Sequence, residues 1–487
     1  MGNRNLFGRR IIYSDVPEVN ENNIVDVLQN AFFAHLQNKQ DIDYLYNYYK
    51  GNQPILSRQK DVRPEICNKV VENRANEIVS FKVGYLMGEP VQYVSRSDDE
   101  SITGSVLRLN DYVLSEDKPV KDKELADWSH ICGTSFRMVL PDKRANVEED
   151  EAPFEIFTLD PRFTFVVYST ALGNPPLMGV TYVQKETGVS LFSCYTSDRY
   201  YEVESTGALV RSEAQILGIP IIEYPANKAR LGAFEIVLPL LDAINTIESN
   251  RLDGVEQFVQ ALMLFHNVDI SSDDYSALRD QGAIKFKDID PQTKGEIDYL
   301  IAELNQTQTQ TLVDSMYNTV LTICGMPNRN GGSSTSDTGS AVIMRDGWSA
   351  AEARAKDSEL MFKQSEKEFL KLVLRICDNL TNLSLKLSAV EIRFTRRNYE
   401  NISEKANVLV TMLGNSKIAP QLAFTHCGLF SDPQLAYRMS MEYAKEQEKK
   451  AIAIASKGEG GNDGNDSNDK SGNENPVSAD PGDRNGD

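Results

Sequence analysis

Histidine is scarce in this chain, and no two of its cysteines lie close together. The four histidines (His35, His130, His266 and His426) show no HExxH or other metal-ligand spacing. The six cysteines contain no CxxC pair. Scattered cysteines of this kind are typical of small buried hydrophobes in a reducing compartment. The sequence therefore predicts no metal site.

The motifs of the common nucleotide-binding and hydrolytic enzymes are also missing. The chain has no GxxxxGK[ST] phosphate loop and no GxSxG nucleophile elbow. Two aspartate pairs, Asp98 with Asp99 and Asp273 with Asp274, lie in predicted loops, where we expect them to face solvent. We predict no enzyme and no cofactor. The alternative is a DNA-processing enzyme, such as a nuclease that holds magnesium with Asp and Glu.

Long apolar segments are absent as well. No run approaches the roughly 18 apolar residues of a membrane span. The basic start, MGNRNLFGRR, lacks the apolar core of a secretion signal. We therefore expect a soluble protein, intracellular at synthesis, with no membrane partner.

Positive charge is in short supply. The chain has 487 residues, enough for two or three domains, with 51 basic against 71 acidic residues and a net charge of −20. This balance argues against a protein that grips nucleic acid by bulk positive charge, because non-specific binding depends on Lys and Arg neutralising phosphates. The same charge balance is compatible with a protein along whose surface nucleic acid slides. Residues 457–487 carry eight acidic and three basic residues and almost nothing to bury, which predicts a disordered acidic tail.

The most regular part of the sequence is a set of long helical patterns around a polar loop. Apolar residues at helical intervals predict helices over Leu231–His266, Asn305–Cys324 and Ala341–Leu380. The first would be roughly 50 Å long. Between the second and third helices lies a loop rich in Gly, Ser and Thr, Pro327–Ser340. Two long helices that bracket a small module and then meet a polar loop favour a repeated lining element over a catalytic cleft.

The remaining chain divides into helical and strand-like parts. Helical patterns cover Glu21–Tyr49, Asn68–Leu86, Asp117–Cys132 and Ile402–Ser456, the last broken near its Gly and Pro residues. β-Branched and aromatic runs separated by turn residues predict strands from Phe136 to Tyr224. The fold class is therefore α+β.

Three segments carry a resemblance to a known family. They are YYKGNQPILSR (Tyr48–Arg58), NKVVENRANEIVSFKVGYLMGEPVQY (Asn68–Tyr93) and IPIIEYPANKARLGAFEIVLPLLDAINTIESNRLDGVEQF (Ile219–Phe258). Together and in this order they resemble the portal proteins of tailed double-stranded-DNA bacteriophages, of the siphophage type. The resemblance extends over about residues 22–456.

The resemblance implies a portal fold with a β-rich wing, long stem helices, a small α/β clip, a long kinked helix and a helical crown. Its implied domains are the N-terminal helical part of the wing (1–90), the β-rich wing (91–230), the stem helix (231–266), the clip (267–304), the second stem helix (305–326), the tunnel loop (327–340), the long helix with its return to the wing (341–397), the crown (398–456) and the disordered tail (457–487).

The function implied by the resemblance is that of a DNA conduit. Such proteins form a ring, usually of twelve subunits, at one vertex of the capsid, and genomic double-stranded DNA enters and leaves through its channel. The expected partners are the terminase large subunit, the head-tail adaptor, and the major capsid and scaffolding proteins. The expected location is the virion, after assembly in the host cytoplasm. Another capsid or connector protein is a further alternative.

The resemblance also implies which residues face DNA. The tunnel loop would contribute Asn328, Arg329, Asn330, Ser333, Ser334, Thr335, Ser336 and Thr338. The stem would contribute Asp242, Ser249, Asp253, Glu256, Gln306, Gln308 and Gln310. A lysine-lined wall would hold DNA through charge-assisted contacts, whereas a wall of amides, hydroxyls and acids would leave it solvated and mobile. The alternative for the loop is a flexible surface linker.

Overall fold

The computed structural model describes two compact units, residues 1–401 and 402–487. The residues described are 8–97, 99–142, 151–186, 188–259, 262–269, 271, 287–290, 294–300, 306–328, 347–395, 402–430 and 433–458.

In the first unit, helices and strands form largely separate blocks, which confirms the α+β class. In chain order its elements are β1 (Ile12–Ser14), α1 (Ile24–Tyr49), α2 (Arg74–Leu86), β2 (Gln92–Ser95), α3 (Glu100–Ser115), α4 (Lys118–Cys132), β3 (Thr134–Pro141), β4 (Phe154–Leu159), β5 (Thr164–Ser169), β6 (Pro176–Gln184), β7 (Ser190–Tyr195), β8 (Arg199–Glu204), β9 (Leu209–Ala214), β10 (Ile221–Pro225), α5 (Leu238–Val259), β11 (Leu262–His266), β12 (Val268–Asp269), β13 (Lys287–Asp288), β14 (Glu296–Leu300), α6 (Gln306–Cys324), α7 (Trp348–Leu380) and β15 (Val390–Arg393).

The strands between Phe136 and Tyr224 form two sheets. The larger has the order β1-β5-β6-β7-β8-β9, in which β1 pairs with β5 in parallel and the other pairs are antiparallel hairpins. Its apolar face packs on α1 through a cluster that includes Ile24, Phe165 and Tyr201. The smaller sheet has the order β10-β3-β4 and carries α4 and α7. Helix α3 and strand β9 were not anticipated from the sequence.

Four buried charges tie α4, β3 and α7 together. The Lys118 ammonium contacts Asp122 at 2.7 Å and Glu366 at 2.8 Å. The Arg137 guanidinium contacts Glu366 at 3.2 Å and also pairs with Asp122. Each of these side chains is at most 3% exposed. Two tyrosine hydroxyls, from Tyr93 and Tyr224, donate to the Glu366 carboxylate. The network closes into a neutral ring, which is how buried charges avoid a large desolvation cost.

Two predicted helices have different bounds in the structure. The predicted helix Leu231–His266 is wrong at both ends, since α5 covers Leu238–Val259 and Leu262–His266 is the strand β11. The reason is long-range pairing, because β11 forms an antiparallel ladder with β14 that supplies its backbone hydrogen bonds. The predicted helix Asn68–Leu86 is wrong at its start, since α2 begins at Arg74.

The second unit contains α8 (Ile402–Leu413), α9 (Pro420–His426) and α10 (Pro433–Gly458). This matches the predicted interruptions at Gly414, Pro420, Gly428 and Pro433. Proline suits the first turn of a helix, where its missing N–H is not needed. None of the helices among the described residues combines the length and the apolar character that crossing a bilayer requires.

Candidate functional site

Helices α5 and α6 lie side by side, and their apolar residues share one core. That core includes Leu241 and Ile244 of α5, Val320 and Leu321 of α6, and residues of α1 and α2. Near the other end of the pair, Arg251 joins the two helices. Its Nε donates to Gln306 Oε1 at 2.6 Å and its Nη1 to Gln310 Oε1 at 2.7 Å. Two of the predicted lining amides are thus held against α5.

The four predicted lining residues of α5 bond to an earlier part of the same chain. Ser249 and Asp253 are 0% and 3% exposed. Asp242 accepts from the Tyr48 hydroxyl at 2.9 Å, and Glu256 accepts from Asn68 Nδ2 at 2.9 Å. Burial raises the pKa of Asp242, and the hydrogen bond from Tyr48 opposes that shift in part. Ser249 and Asp253 are covered by the chain segment that leads into α2, so the geometry does not favour a channel-lining role for them.

The segment that covers Ser249 and Asp253 is residues 58–72, here called the strap. It turns at Arg63, which has a φ of 52° and whose carbonyl accepts from the Ile66 N–H, and its last part then runs along α5. The Asn68 N–H donates to Asp253 at 2.7 Å, the Val70 N–H to Ser249 Oγ at 3.0 Å, and the Glu72 N–H to Asn245 Oδ1 at 2.9 Å. Alternate residues of the strap therefore meet every fourth residue of the helix. The two repeats nearly coincide, at about 6.8 Å for two extended residues and about 6.0 Å for four helical ones.

Among the described residues of α5, Asp253 makes the most hydrogen bonds and ion pairs with the strap. Its carboxylate accepts from both nitrogens of Asn68 and pairs with Arg58 at 3.0 Å and Lys60 at 3.1 Å. Burial would raise the pKa of Asp253, but the bonds from Asn68 and Lys60 outweigh it, so the pKa is lowered. Asp253 is therefore held as a carboxylate, with four donors around it.

The strap explains the late start of α2. Val70 fits the apolar stripe of a predicted helix, but its N–H and that of Glu72 are bonded to α5 instead. Asn73 then begins the helix, because its side chain accepts from the Asn76 N–H. The strap was missed from the sequence. The signal that could have found it is the polar stripe of α5, whose acceptors recur at positions 242, 245, 249, 253 and 256.

Helix α6 presents an exposed, mostly uncharged face. The face forms a shallow open depression lined by Thr311, Asp314, Ser315, Asn318, Thr319, Thr322 and Ile323. No lysine or arginine occurs between Gln306 and Cys324, and Asp314 is the only carboxylate in that span. Gln308 is exposed as well. The face can exchange weak hydrogen bonds with a neighbouring surface but offers a polyanion no cation.

The end of α6 meets the start of α7. Asn328 Nδ2 donates to Asn318 Oδ1 at 3.1 Å, and Lys82 of α2 donates to the Cys324 carbonyl at 2.7 Å. A Cβ on Gly347 would lie 3.7 Å from the Met326 carbonyl oxygen. The other predicted loop residues lie outside the described residues. These are Arg329, Asn330, Ser333, Ser334, Thr335, Ser336 and Thr338.

Within the described ranges, no group of three or more His, Cys, Asp or Glu side chains is placed to hold a metal ion. Asp99 caps α3 by accepting from the Ser101 N–H at 2.9 Å. Asp98, Asp273 and Asp274 lie outside the described residues.

Comparison with known families gives one match. The family model described as phage portal protein, SPP1 Gp6-like, matches residues 31–453, which is most of the chain. No curated protein matches the sequence.

Proposed function

The chain belongs to the SPP1 Gp6-like family of phage portal proteins, and on that premise we propose that identical copies close into a ring at one capsid vertex. The family is structural rather than enzymatic. In this proposal the ring has twelve subunits and is the conduit through which genomic DNA is packaged and later ejected. The terminase large subunit and then the head-tail adaptor dock on the clip (267–304). The major capsid and scaffolding proteins surround the ring.

The exposed face of α6 is the observation that carries the conduit proposal. From Gln308 to Thr322 this face is about 21 Å long, and a duplex of that length presents about 12 phosphates. Each lysine on such a wall would neutralise a phosphate, so a wall of lysines would hold DNA at fixed positions. Hydroxyls and amides carry no charge that neutralises a phosphate, and their hydrogen bonds to DNA exchange with hydrogen bonds to water. The α6 face is therefore suited to a wall along which DNA slides.

The exposed polar residues of α6 support one choice of lining residues. We propose that α6, through Gln308, Thr311, Ser315, Asn318 and Thr322, forms the wall of the stem, and that the tunnel loop, Asn328 to Thr338, narrows the channel beside it. Helix α5 supports α6 from behind. Asp242 then acts in the contact with Tyr48 of α1, and Glu256 in the strap contact with Asn68. Gln306 and Gln310 act in the contact with Arg251.

A lysine scan of this face tests the proposal. We expect the triple variant Thr311→Lys, Ser315→Lys and Thr322→Lys to assemble rings but to package DNA at least tenfold more slowly, because each subunit adds three cations that bind phosphates. The same substitutions in the loop, at Ser333, Ser334 and Thr335, should also stall packaging. Packaging is measured with purified terminase and labelled DNA.

The control adds the same charge elsewhere. Lysine at Gln29, Asn30 and Phe33, on the exposed face of α1, should leave the packaging rate per assembled ring unchanged. Equal rates for the α6 variant, the α1 variant and the wild type would overturn the proposal that α6 faces DNA.

A further inference from the structure

The second half of α5 has little apolar support from the core. Among the side chains of α5 that the structure describes, the buried apolar ones are Leu238, Leu241 and Ile244, all in its first two turns. Farther along, Leu252 and Val255 are 46% and 42% exposed. Ile247 still packs against the edge of the core. Beyond it the described contacts of α5 are polar, with α6 on one side and the strap on the other. The direction of α5 beyond Ile247 therefore depends on these polar contacts.

The strap contacts are in register over about two helical turns. Asn245, Ser249 and Asp253 each accept from one strap N–H, and the donors are residues 72, 70 and 68. At the Asn245 end of the contact the strap meets the core, where Asn245 Nδ2 also donates to Gln53 at 2.5 Å. At the other end Asp253 binds Arg58, Lys60 and Asn68. A register fixed at both ends prevents the strap from sliding along the helix.

We propose that the strap is a brace that positions the α5–α6 pair, and that Asp253 is the positioning residue that anchors it. The brace transmits force between the body of the subunit, through α1 and α2, and the half of α5 that leads to the clip. Its role in DNA movement rests on the proposed function, in which α6 is the channel wall and a motor pushes on the clip. The brace itself is a property of the subunit and can be tested without DNA.

Two neighbouring proline substitutions distinguish the loss of a strap–α5 hydrogen bond from a general effect of proline on the strap. Val70→Pro removes an N–H that bonds to α5, whereas Val71→Pro removes the next N–H, which has no acceptor among the described residues. The two variants place the same residue in the same extended segment. By hydrogen exchange, we expect the Asn68 and Glu72 amides to exchange roughly fivefold faster or more in Val70→Pro than in Val71→Pro, as one lost hydrogen bond implies.

A second pair of variants tests the anchor. Asp253→Asn removes the charge that holds Arg58 and Lys60, and trypsin should then cleave after Arg58 or Lys60 several-fold faster than in the wild type. Asp314→Asn changes an exposed carboxylate on α6 and should leave the cleavage rate unchanged. If Asp253→Asn and Val70→Pro behave like their controls, the strap is not a brace.

The last comparison measures positioning rather than folding. Val70→Pro and Val71→Pro rings are isolated in equal amounts, and packaging is measured per ring. We expect Val70→Pro to be slower by fivefold or more, with unchanged subunit number. Faster exchange with an unchanged packaging rate would overturn the positioning role while leaving the conduit in place. A wild type that forms no rings would instead contradict the proposed function, and the exchange results would still decide whether the strap braces α5.

Discussion

At the scale of single residues, the Glu366 carboxylate is held by four partners in the interior of the subunit. It is fully buried and receives Lys118, Arg137 and two tyrosine hydroxyls. Burial alone would raise the pKa of Glu366, but Lys118 and Arg137 together lower it to about 2. Nothing in the sequence marks this glutamate among the charged residues of α7, because its charged partners come from α4 and β3, more than 200 residues earlier.

Replacing this carboxylate should be costly. Glu366→Gln would leave Arg137 and Lys118 partly uncompensated in the interior, and removing one member of a buried pair typically costs about 3–5 kcal/mol. The exposed control Glu368→Gln, whose partner is Lys371, should change the free energy of unfolding by less than about 0.5 kcal/mol. Urea denaturation of both variants measures the difference, and equal midpoints would contradict the account of the network.

The same carboxylate predicts a pH dependence. Its folded pKa lies below the ordinary value of 4.5, so the unfolded chain takes up its proton first as pH falls. The stabilisation by Glu366 is therefore fully present above about pH 4.5 and is lost as pH falls towards 2. We expect the difference in unfolding free energy between wild type and Glu366→Gln to shrink across this window. A constant difference between pH 5 and pH 3 would exclude this linkage.

At the scale of elements, the sequence pattern succeeded where local signals decide the structure and failed where distant partners do. The end of α4 at Cys132 was predicted, because the next residue is a glycine. Gly133 adopts a φ of 84°, which ends the helix. The end of α5 was not predicted, because the apolar run Leu262–His266 suits a helix equally well until β14 is known to pair with it. The strap was missed for the same reason, and so was the burial of Ser249 and Asp253 beneath it.

Replacing Gly133 or Gly104 by alanine should change the stability of the subunit in opposite directions. At Gly133 a Cβ would lie 2.0 Å from the Arg230 carbonyl oxygen, at positive φ, whereas at Gly104 in α3 it would meet nothing within 4 Å. We expect Gly133→Ala to destabilise the subunit by at least about 2 kcal/mol, and Gly104→Ala to stabilise it by about 0.5–1 kcal/mol. Thermal midpoints that shift in the same direction for both would contradict this.

At the scale of the whole molecule, charge sets the conditions for assembly. Residues 457–487 account for −5 of the net charge of −20, which leaves −15 on the rest of the chain. Copies that carry this charge repel one another in dilute salt, and salt or divalent ions screen that repulsion. Family membership could be inferred from three sequence segments, because they are long and occur in a fixed order. The burial of Ser249 and Asp253 could not be inferred from the sequence, because it depends on their contacts with the strap.

Electron microscopy of the purified protein across a salt series decides whether the chain forms a DNA conduit. We expect closed rings with an axial hole, a ring fraction that rises with ionic strength, and the Gln308–Thr322 face of α6 on the wall of that hole. A protein that remains monomeric at every ionic strength, or rings in which this face of α6 is buried away from the hole, would contradict the conduit proposal.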